Sequence, residues 1–115
     1  MVAREYVPEA GDLIWLDFTP QAGHEQAGRR PAIVLSPRSY NEKTSLAVVC
    51  PVTSHVKGYP FEVPVPPGQS IKGVVLSDHL KSVDWRQRKA QKAGRINASL
   101  LAQVRDRIAA LLGLS

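Results

Sequence analysis

The stretch GDLIWLDF, residues 11–18, carries two sets of side chains that alternate along its length. In an extended chain successive side chains point to opposite faces. The two sets are Leu13, Trp15 and Asp17 on one face, and Ile14, Leu16 and Phe18 on the other. The alternation predicts a β-strand that carries apolar side chains on both of its faces.

More short apolar segments follow this stretch, separated by Gly and Pro turns. They are AIVLS (32–36), LAVVCPV (46–52), PFEVPV (60–65), GVVLSD (73–78) and HLKSVDW (79–85). The first two are apolar enough to be buried on both faces. Pro60 and Pro64 cannot donate to a ladder, so their segment is predicted to be an edge strand or to contain a bulge. Five or more short strands predict a mainly β fold, a small barrel or a strongly bent sheet.

The C-terminal region changes period and predicts one amphipathic helix packed on the barrel. Asn97 is a good N-cap residue, and Gly113 lies where a C-cap belongs. Apolar residues then recur at three- and four-residue spacing. They are Leu101, Val104, Ile108 and Leu111. A weaker signal indicates a helical turn near residues 37–41.

Length and composition indicate one folded domain, residues 1–115, with 43% hydrophobic residues. No apolar run approaches the roughly 20 residues of a membrane span. The start, MVAREYVPEAGD, lacks the apolar region of a secretory signal. The single cysteine, Cys50, cannot form an internal disulfide, so we expect a reducing, cytoplasmic location.

The positive charge is concentrated in the last third of the chain. Residues 1–80 hold 7 Lys/Arg and 8 Asp/Glu, whereas residues 81–115 hold 8 Lys/Arg and 2 Asp/Glu. A basic face attracts phosphates by releasing counterions, irrespective of sequence. The alternative is a solvated basic surface that only keeps the protein soluble. Charge alone leaves both interpretations open.

GHEQAGRRPAIV, residues 23–34, is a polar loop entering a buried strand, and it offers the first candidate for chemistry. Arg30 precedes Pro31, which favours extended geometry and helps to fix where the guanidinium points. A guanidinium is permanently charged and has a planar fork of donors suited to phosphate. The structural alternative is an arginine that pairs with Asp17 or Glu25.

Glu25 is the candidate general base in the same loop. A carboxylate serves best with its pKa raised toward neutrality, whereas the nearby Arg29 and Arg30 would lower the pKa of Glu25. The alternative is a loop glutamate in a salt bridge, and the sequence does not choose between the two roles.

CPVTSHVKGYPFEV, residues 50–63, supplies further candidates where an apolar strand turns polar. The Thr53 hydroxyl can donate to a phosphate oxygen, although a threonine at a strand end often only starts a turn. Ser54 is a second hydroxyl beside it. Lys57 can bind phosphate or simply solubilise the turn, and Tyr59 can stack on an unpaired base.

Asp78 follows the strand GVVLSD and is a candidate for base contacts, and Arg86 belongs to the basic region. The histidines, His24, His55 and His79, lie in polar loops or strand ends, where solvated histidines are the rule. Neither they nor Cys50 form a metal-ligand spacing, so no metal and no cofactor are predicted.

Five stretches of the chain together resemble the MazF/PemK family of toxin endoribonucleases. They are GDLIWLDF (11–18), GHEQAGRRPAIV (23–34), VLSPRSYN (34–41), CPVTSHVKGYPFEV (50–63) and VVLSDHLKSVDWR (74–86). The resemblance implies an SH3-like, CcdB/PemK-like barrel with short helices and a C-terminal helix. It also implies that Arg30 and Thr53 are catalytic, with Glu25 as a less certain third member.

By this resemblance the protein is an mRNA interferase, a sequence-specific and metal-independent endoribonuclease acting on single-stranded RNA. Attack by the 2′-hydroxyl would leave a 2′,3′-cyclic phosphate and a 5′-hydroxyl. Arg29, Ser54, Lys57, Tyr59, Asp78 and Arg86 are predicted to contact the RNA. The implied partners are a second copy of the chain and a MazE-like antitoxin with an acidic C-terminal tail.

Two competing functions fit the same barrel, because fold does not decide function. One is a non-catalytic module that binds RNA or protein. The other is a gyrase-directed toxin of the CcdB type, which would break DNA and leave RNA intact.

Overall fold

The computed structural model describes residues 5–18 and 28–114, and over these residues it contains seven strands and two helices. The strands are β1 Asp12–Phe18, β2 Gly28–Val34, β3 Leu46–Thr53, β4 Glu62–Pro64, β5 Val74–Leu76, β6 Lys81–Asp84 and β7 Gln91–Arg95. The helices are α1 Arg38–Thr44 and α2 Ala98–Leu111. The sheet order is β4-β5-β3-β2-β1-β7, with β6 paired to β3. The predicted mainly β fold with a C-terminal helix is confirmed.

Strand β3 organises the sheet, because it forms ladders with three other strands. Its first half, residues 46–49, pairs with β6, and residues 49–51 pair with β2. Its last two residues, Val52 and Thr53, pair with β5. All of these pairings are antiparallel; β6 and β5 share one edge of β3, and β2 pairs with the other edge.

The alternation predicted for β1 divides the interior into two cores. Leu13 belongs to a core shared with α2, and Ile14 and Leu16 belong to a core on the other side of the sheet. Strands β2 and β3 also contribute to both cores. The first core includes Ile33, Cys50, Val52 and Val104; the second includes Ala32, Val34, Ala47 and Val49. The double burial predicted for these strands is confirmed.

Helix α2 begins and ends as the sequence indicates. The side chain of Asn97 accepts a hydrogen bond from the Leu100 amide at 2.8 Å, and Gly113 has φ +72° just beyond the last turn. Leu100 and Val104 are buried in the first core. Helix α1 is longer than the turn predicted near residues 37–41. Neither described helix is long and apolar enough to cross a membrane.

Two strands differ from the sequence prediction. Strand β2 begins at Gly28 rather than at residue 32, so Arg29 and Arg30 lie in a strand and not in a loop. Strand β7, QKAGR, was missed. Both segments are polar and mostly exposed, and their extended form comes from ladders with β1. Hydrophobic periodicity cannot report such pairing. The predicted edge strand is confirmed as β4, shortened to three residues.

The loop between β4 and β5 bridges to the opposite edge strand. Gln69 Nε2 donates to the Arg95 carbonyl at 3.0 Å, and Ser70 Oγ donates to the Ala93 carbonyl at 3.0 Å. The next residue, Ile71, is only 2% exposed and packs in the first core. These contacts fix the loop against β7.

Asp12 is a buried carboxylate that joins three parts of the chain. It is 2% exposed and accepts hydrogen bonds from the Tyr6 hydroxyl, from the Glu9 amide at 3.1 Å and from Arg95 Nη1 at 2.9 Å. Burial and the hydrogen bond to Asp12 raise the pKa of Tyr6 well above its usual value. The network ties the N-terminal segment to β1 and β7.

We predict that Asp12→Ala lowers the free energy of unfolding by about 3 kcal/mol, because it removes a buried, multiply hydrogen-bonded charge. Urea unfolding at pH 7 measures the change. Asp106→Ala, an exposed carboxylate on α2, is the control and should change stability by less than about 0.5 kcal/mol. Equal effects of the two substitutions would contradict the role given to Asp12.

The Cys50 thiol is predicted to be unreactive in the folded protein. Burial, with a smaller contribution from the charge of Asp78, raises the pKa of Cys50 to about 12. The thiolate is the reactive form, so at pH 8 a thiol reagent should label the native protein about 100-fold more slowly than the urea-unfolded chain. Because the unfolded thiol has the lower pKa, its ionisation also destabilises the fold as pH rises from about 8.5 toward the folded value. Equal labelling rates would contradict the prediction.

Candidate active site

A cleft of about 380 Å³ opens where β2, the end of β3 and the β4–β5 loop meet. Its walls are residues 28–31 of β2, Val52 and Thr53 of β3 with Ser54 after them, and residues 70–72 of the loop, with Trp15 of β1. Its described walls carry three cations, Arg29, Arg30 and Lys72, and no carboxylate. The cleft therefore has the charge and the hydroxyl groups expected of a phosphate-binding site.

Arg30 and Thr53, two of the three predicted catalytic residues, line this same cleft. Strand β2 pairs with β3 in a register that places Ala32 beside Pro51 and Ile33 beside Cys50. Continued by two residues, that register brings Arg30 level with Thr53. The structure thus joins two side chains that are 23 positions apart in the sequence.

The Thr53 hydroxyl is oriented by the backbone that follows it. Its Oγ1 accepts a hydrogen bond from the His55 amide at 3.0 Å. This is the local turn that the sequence offered as an alternative role for Thr53. The two roles are compatible, since the hydroxyl still has its own proton to donate. A fixed hydroxyl that donates into the cleft suits a phosphate oxygen.

Arg29 also lines the cleft, but its guanidinium is engaged within the protein. It pairs with Asp17, its cross-strand neighbour, and Nη2 donates to the Lys89 carbonyl at 3.1 Å and to Gln91 Oε1 at 3.3 Å. These contacts tie the start of β2 to β1 and to the turn before β7. The RNA contact predicted for Arg29 stays a prediction.

A second, smaller pocket of about 190 Å³ adjoins the cleft; we call it the lateral pocket. Thr53 lines both cavities. Lys57, Tyr59 and Asp78, three predicted RNA contacts, line the lateral pocket, and Lys57 Nζ lies 5.8 Å from the centre of the Tyr59 ring. Ser54 lines the cleft instead. The structure therefore gathers these predicted contacts in two cavities that share Thr53.

The loop that carries Lys57 and Tyr59 is held by Glu62. The Glu62 carboxylate accepts hydrogen bonds from the Gly58 amide at 2.8 Å and from the Lys57 amide at 3.1 Å. This arrangement presents Tyr59, which is 59% exposed, at the mouth of the lateral pocket. An exposed aromatic ring on a fixed loop can stack on an unpaired base.

Two predicted site residues remain to be placed. Glu25 lies outside the described residues. Arg86 lines neither cavity; its Nε bonds to Glu5 at 2.9 Å and its guanidinium lies 4.3 Å from the Trp85 ring centre. The RNA contact predicted for Arg86 therefore stays a prediction, and the position of Arg86 away from both cavities does not support it.

His55 and His79 both line the lateral pocket, with His79 Nε2 at 3.7 Å from Asp78 Oδ1. Across residues 5–18 and 28–114, no three His, Cys, Asp or Glu side chains are placed to hold a metal ion.

The basic C-terminal third contributes no side chain to the described walls of either cavity. Several of its cations serve the fold instead. Lys81 and Arg88 lie over the Phe18 ring at 5.0 and 4.6 Å, and Arg95 binds Asp12. The charge concentration in the sequence therefore does not mark the cleft.

Sequence reasoning missed two polar residues of the cleft, Ser70 and Lys72. They lie in the stretch PPGQSIKG, which contains no strand or helix signal. The Pro and Gly residues of this stretch predict a turn and give no indication of a cleft. Their place in the cleft depends on the anchoring of the loop to β7, which no local pattern indicates.

Gly73 allows the chain just before β5 to lie very close to Thr53, the residue that lines both cavities. Its φ is +124°, and an added Cβ would lie 2.1 Å from the Thr53 carbonyl oxygen. The Gly73 carbonyl also accepts a hydrogen bond from the Val65 amide at 2.9 Å. Only glycine allows this close approach, so Gly73 is a positioning residue for Thr53.

Comparisons with known proteins fit this arrangement. Residues 9–112 match the family described as PemK-like, MazF-like toxin of type II toxin-antitoxin system. The chain belongs to this family. It is 51% identical to the Endoribonuclease toxin MazF of Escherichia coli strain K12 over 113 residues, which cover 98% of this chain and 100% of that protein.

Solved structures from the same family have the same fold. A crystal structure of MazE-MazF from Deinococcus radiodurans is 58% identical, covers 96% of this chain and 100% of that chain, and has a TM-score of 0.92. A crystal structure of MazF from the same organism is also 58% identical, covers 95% of this chain and 99% of that chain, and has a TM-score of 0.85. The family resemblance read from the sequence is confirmed.

We predict that Gly73→Ala destabilises the protein by at least about 2 kcal/mol more than Gly68→Ala. Both glycines have positive φ, but a Cβ at Gly68 meets nothing within 4 Å. The pair therefore separates the effect of crowding at Thr53 from that of backbone strain alone. Urea unfolding measures stability, and amide chemical shifts of Thr53 and Ser54 report the displacement. Equal destabilisation with unmoved amide signals would contradict the positioning role.

Proposed function

We propose that this protein is an endoribonuclease toxin that cleaves single-stranded RNA, chiefly messenger RNA, at a short sequence motif. Its relatives are named as endoribonucleases, and it spans their full length or nearly so. The observation that carries the proposal is the meeting of Arg30 and Thr53 in one cationic cleft beside a pocket suited to a base. An RNA-cleaving toxin of this kind stops growth by removing translatable messages.

The reaction is an internal phosphoryl transfer. The 2′-oxygen attacks the adjacent phosphorus and loses its proton to a base, and the bond from phosphorus to the 5′-oxygen breaks. The leaving 5′-oxygen takes up a proton. The products are a 2′,3′-cyclic phosphate and a 5′-hydroxyl, and no metal ion takes part.

Arg30 and Thr53 stabilise the negative charge that builds on the nonbridging oxygens at the transition state. A guanidinium carried on a paired strand and an oriented hydroxyl supply donors on two sides of the phosphate. Arg30 is exposed and has no ion-pair partner among residues 5–18 and 28–114, so its donors can reach the substrate. Glu25 is assigned as the base that accepts the 2′-hydroxyl proton.

The lateral pocket is assigned to sequence recognition. Because Thr53 lines both cavities, a base in the lateral pocket lies beside the phosphate in the cleft. Tyr59 would stack on this base and Asp78 would accept hydrogen bonds from its edge. Lys57 supplies a cation for the RNA backbone between this base and the phosphate in the cleft.

The proposed protein partners are an antitoxin of the MazE kind and a second copy of the toxin. Related structures contain MazE together with MazF. An acidic, initially disordered antitoxin tail suits the cationic cleft and would cover it. An apolar groove of about 310 Å³ between β3 and α2, lined by Leu35, Val48 and Ile108 among others, supplies surface for a homodimer contact.

We further propose that residues 1–115 form one domain, since β1, β2 and β3 contribute side chains to both cores. A cytoplasmic site of action follows from the substrate, because messenger RNA is found there.

We predict that Arg30→Ala lowers kcat for RNA cleavage about 100- to 1,000-fold, the usual effect of losing one transition-state donor. The assay uses purified protein, a long single-stranded RNA and excess EDTA, with both new ends mapped. Arg38→Ala, which removes an exposed arginine of α1, should keep wild-type activity. Thr53→Val should also lose rate, and Thr53→Ser should retain most of it.

Discrete cuts at a recurring motif, with cyclic phosphate and 5′-hydroxyl ends, are the expected result for the wild-type protein. A folded Arg30→Ala protein that cleaves at the wild-type rate would overturn the catalytic assignment. Intact RNA with the wild-type protein would overturn the proposed function. In that case RNA binding without cleavage would indicate a binding module, and DNA breaks with gyrase would indicate a gyrase-directed toxin.

A further inference from the structure

Lys72 is a cation of the cleft that lies on a different wall from Arg30. Thr53 pairs with Val74 of β5, and Lys72 comes two residues before Val74. Arg30 lies on β2, which pairs with the other edge of β3. The two cations therefore flank the end of β3, one on each side of the Thr53 hydroxyl.

The backbone that carries Lys72 is fixed although its side chain is exposed. Ile71 before it is buried in the first core, and Gly73 after it is pressed against the Thr53 carbonyl. Ser70, two residues earlier, bonds to the β7 backbone at 3.0 Å. The ammonium group thus extends from a rigid rim, which limits the conformational entropy lost when it binds a ligand.

The charge of Lys72 is available for a ligand. Over residues 5–18 and 28–114 it makes no ion pair, whereas Arg29, on the same cleft, is paired with Asp17. Among the described cleft cations, Arg30 and Lys72 are the two without an internal carboxylate. Two such cations on either side of a hydroxyl match the oxygens of a phosphodiester backbone.

We propose that Lys72 is a phosphate-binding residue that holds the RNA backbone in the cleft from the side of Thr53 away from Arg30. The inference rests on the proposed function and adds a substrate contact to it. As a flexible point charge, Lys72 neutralises phosphate in the bound state and in the transition state alike. Uniform binding of this kind lowers KM and leaves kcat largely unchanged.

The test measures binding and cleavage separately. A short RNA that contains the mapped motif, with a 2′-deoxy sugar at the cleavage site, cannot be cut and reports binding by fluorescence anisotropy. Lys72→Gln should weaken binding about fivefold and reduce the slope of log affinity against log salt by about 0.7, the contribution of one phosphate contact to single-stranded nucleic acid. With the cleavable RNA, KM should rise to a similar extent while kcat stays within about threefold.

Two further variants sharpen the test. Lys72→Arg keeps the charge and should restore the slope. Lys43→Gln removes an exposed lysine of α1 that lines neither cavity, and it should behave as wild type. An unchanged slope and KM for folded Lys72→Gln, or a loss confined to kcat, would overturn the proposal. Failure of the wild-type protein to cleave RNA refutes the proposed function instead; the salt slope is then measured with a single-stranded RNA of mixed sequence, and an unchanged slope for Lys72→Gln still overturns the phosphate contact.

Discussion

The structure depends on strand β3, which pairs with three other strands. Strands β6 and β5 pair with successive parts of one edge of β3, and β2 pairs with the other edge. The change from β6 to β5 falls between Val49 and Val52, close to the end of the strand at Thr53. The walls of the cleft are the two segments that flank this end, so backbone hydrogen bonds set their separation.

Three fixed points keep the second wall of the cleft from drifting. Gln69 and Ser70 bond to the backbone of β7, and Gly73 contacts the Thr53 carbonyl oxygen. A loop without regular secondary structure thereby becomes as well defined as a strand. The backbone that carries Ser70 and Lys72 is therefore held in place relative to Thr53.

The sequence predicts the buried parts of this fold well. Alternation in GDLIWLDF identified β1, continuous apolar runs identified the cores of β2 and β3, and Asn97 with Gly113 bounded α2. Strand β7 and the first residues of β2 were missed, because they are polar and are extended only through pairing with β1. Patterns of burial report where a segment faces the core, and an exposed segment gives no such signal.

The residues of the candidate site were likewise predicted only in part. The family resemblance identified Arg30 and Thr53, which the structure brings together, but local patterns gave no reason to join them. The sequence did not predict that Lys72 lies in the cleft. Its position depends on contacts between the β4–β5 loop and β7, and β7 was also not predicted. The basic region after residue 80 suggested a binding face, whereas several of its cations stack on Phe18 or pair with Asp12 and Glu5.

Thr53 is the one residue that the cleft and the lateral pocket have in common in the described chain. The other residues of the lateral pocket lie on a separate loop and strand end, and that loop is held by its own acceptor, Glu62. Residues of this loop can therefore change without moving the groups around Arg30, as long as β3 still ends at Thr53. Under the proposed function, such changes would alter which RNA is bound and leave the cleft intact.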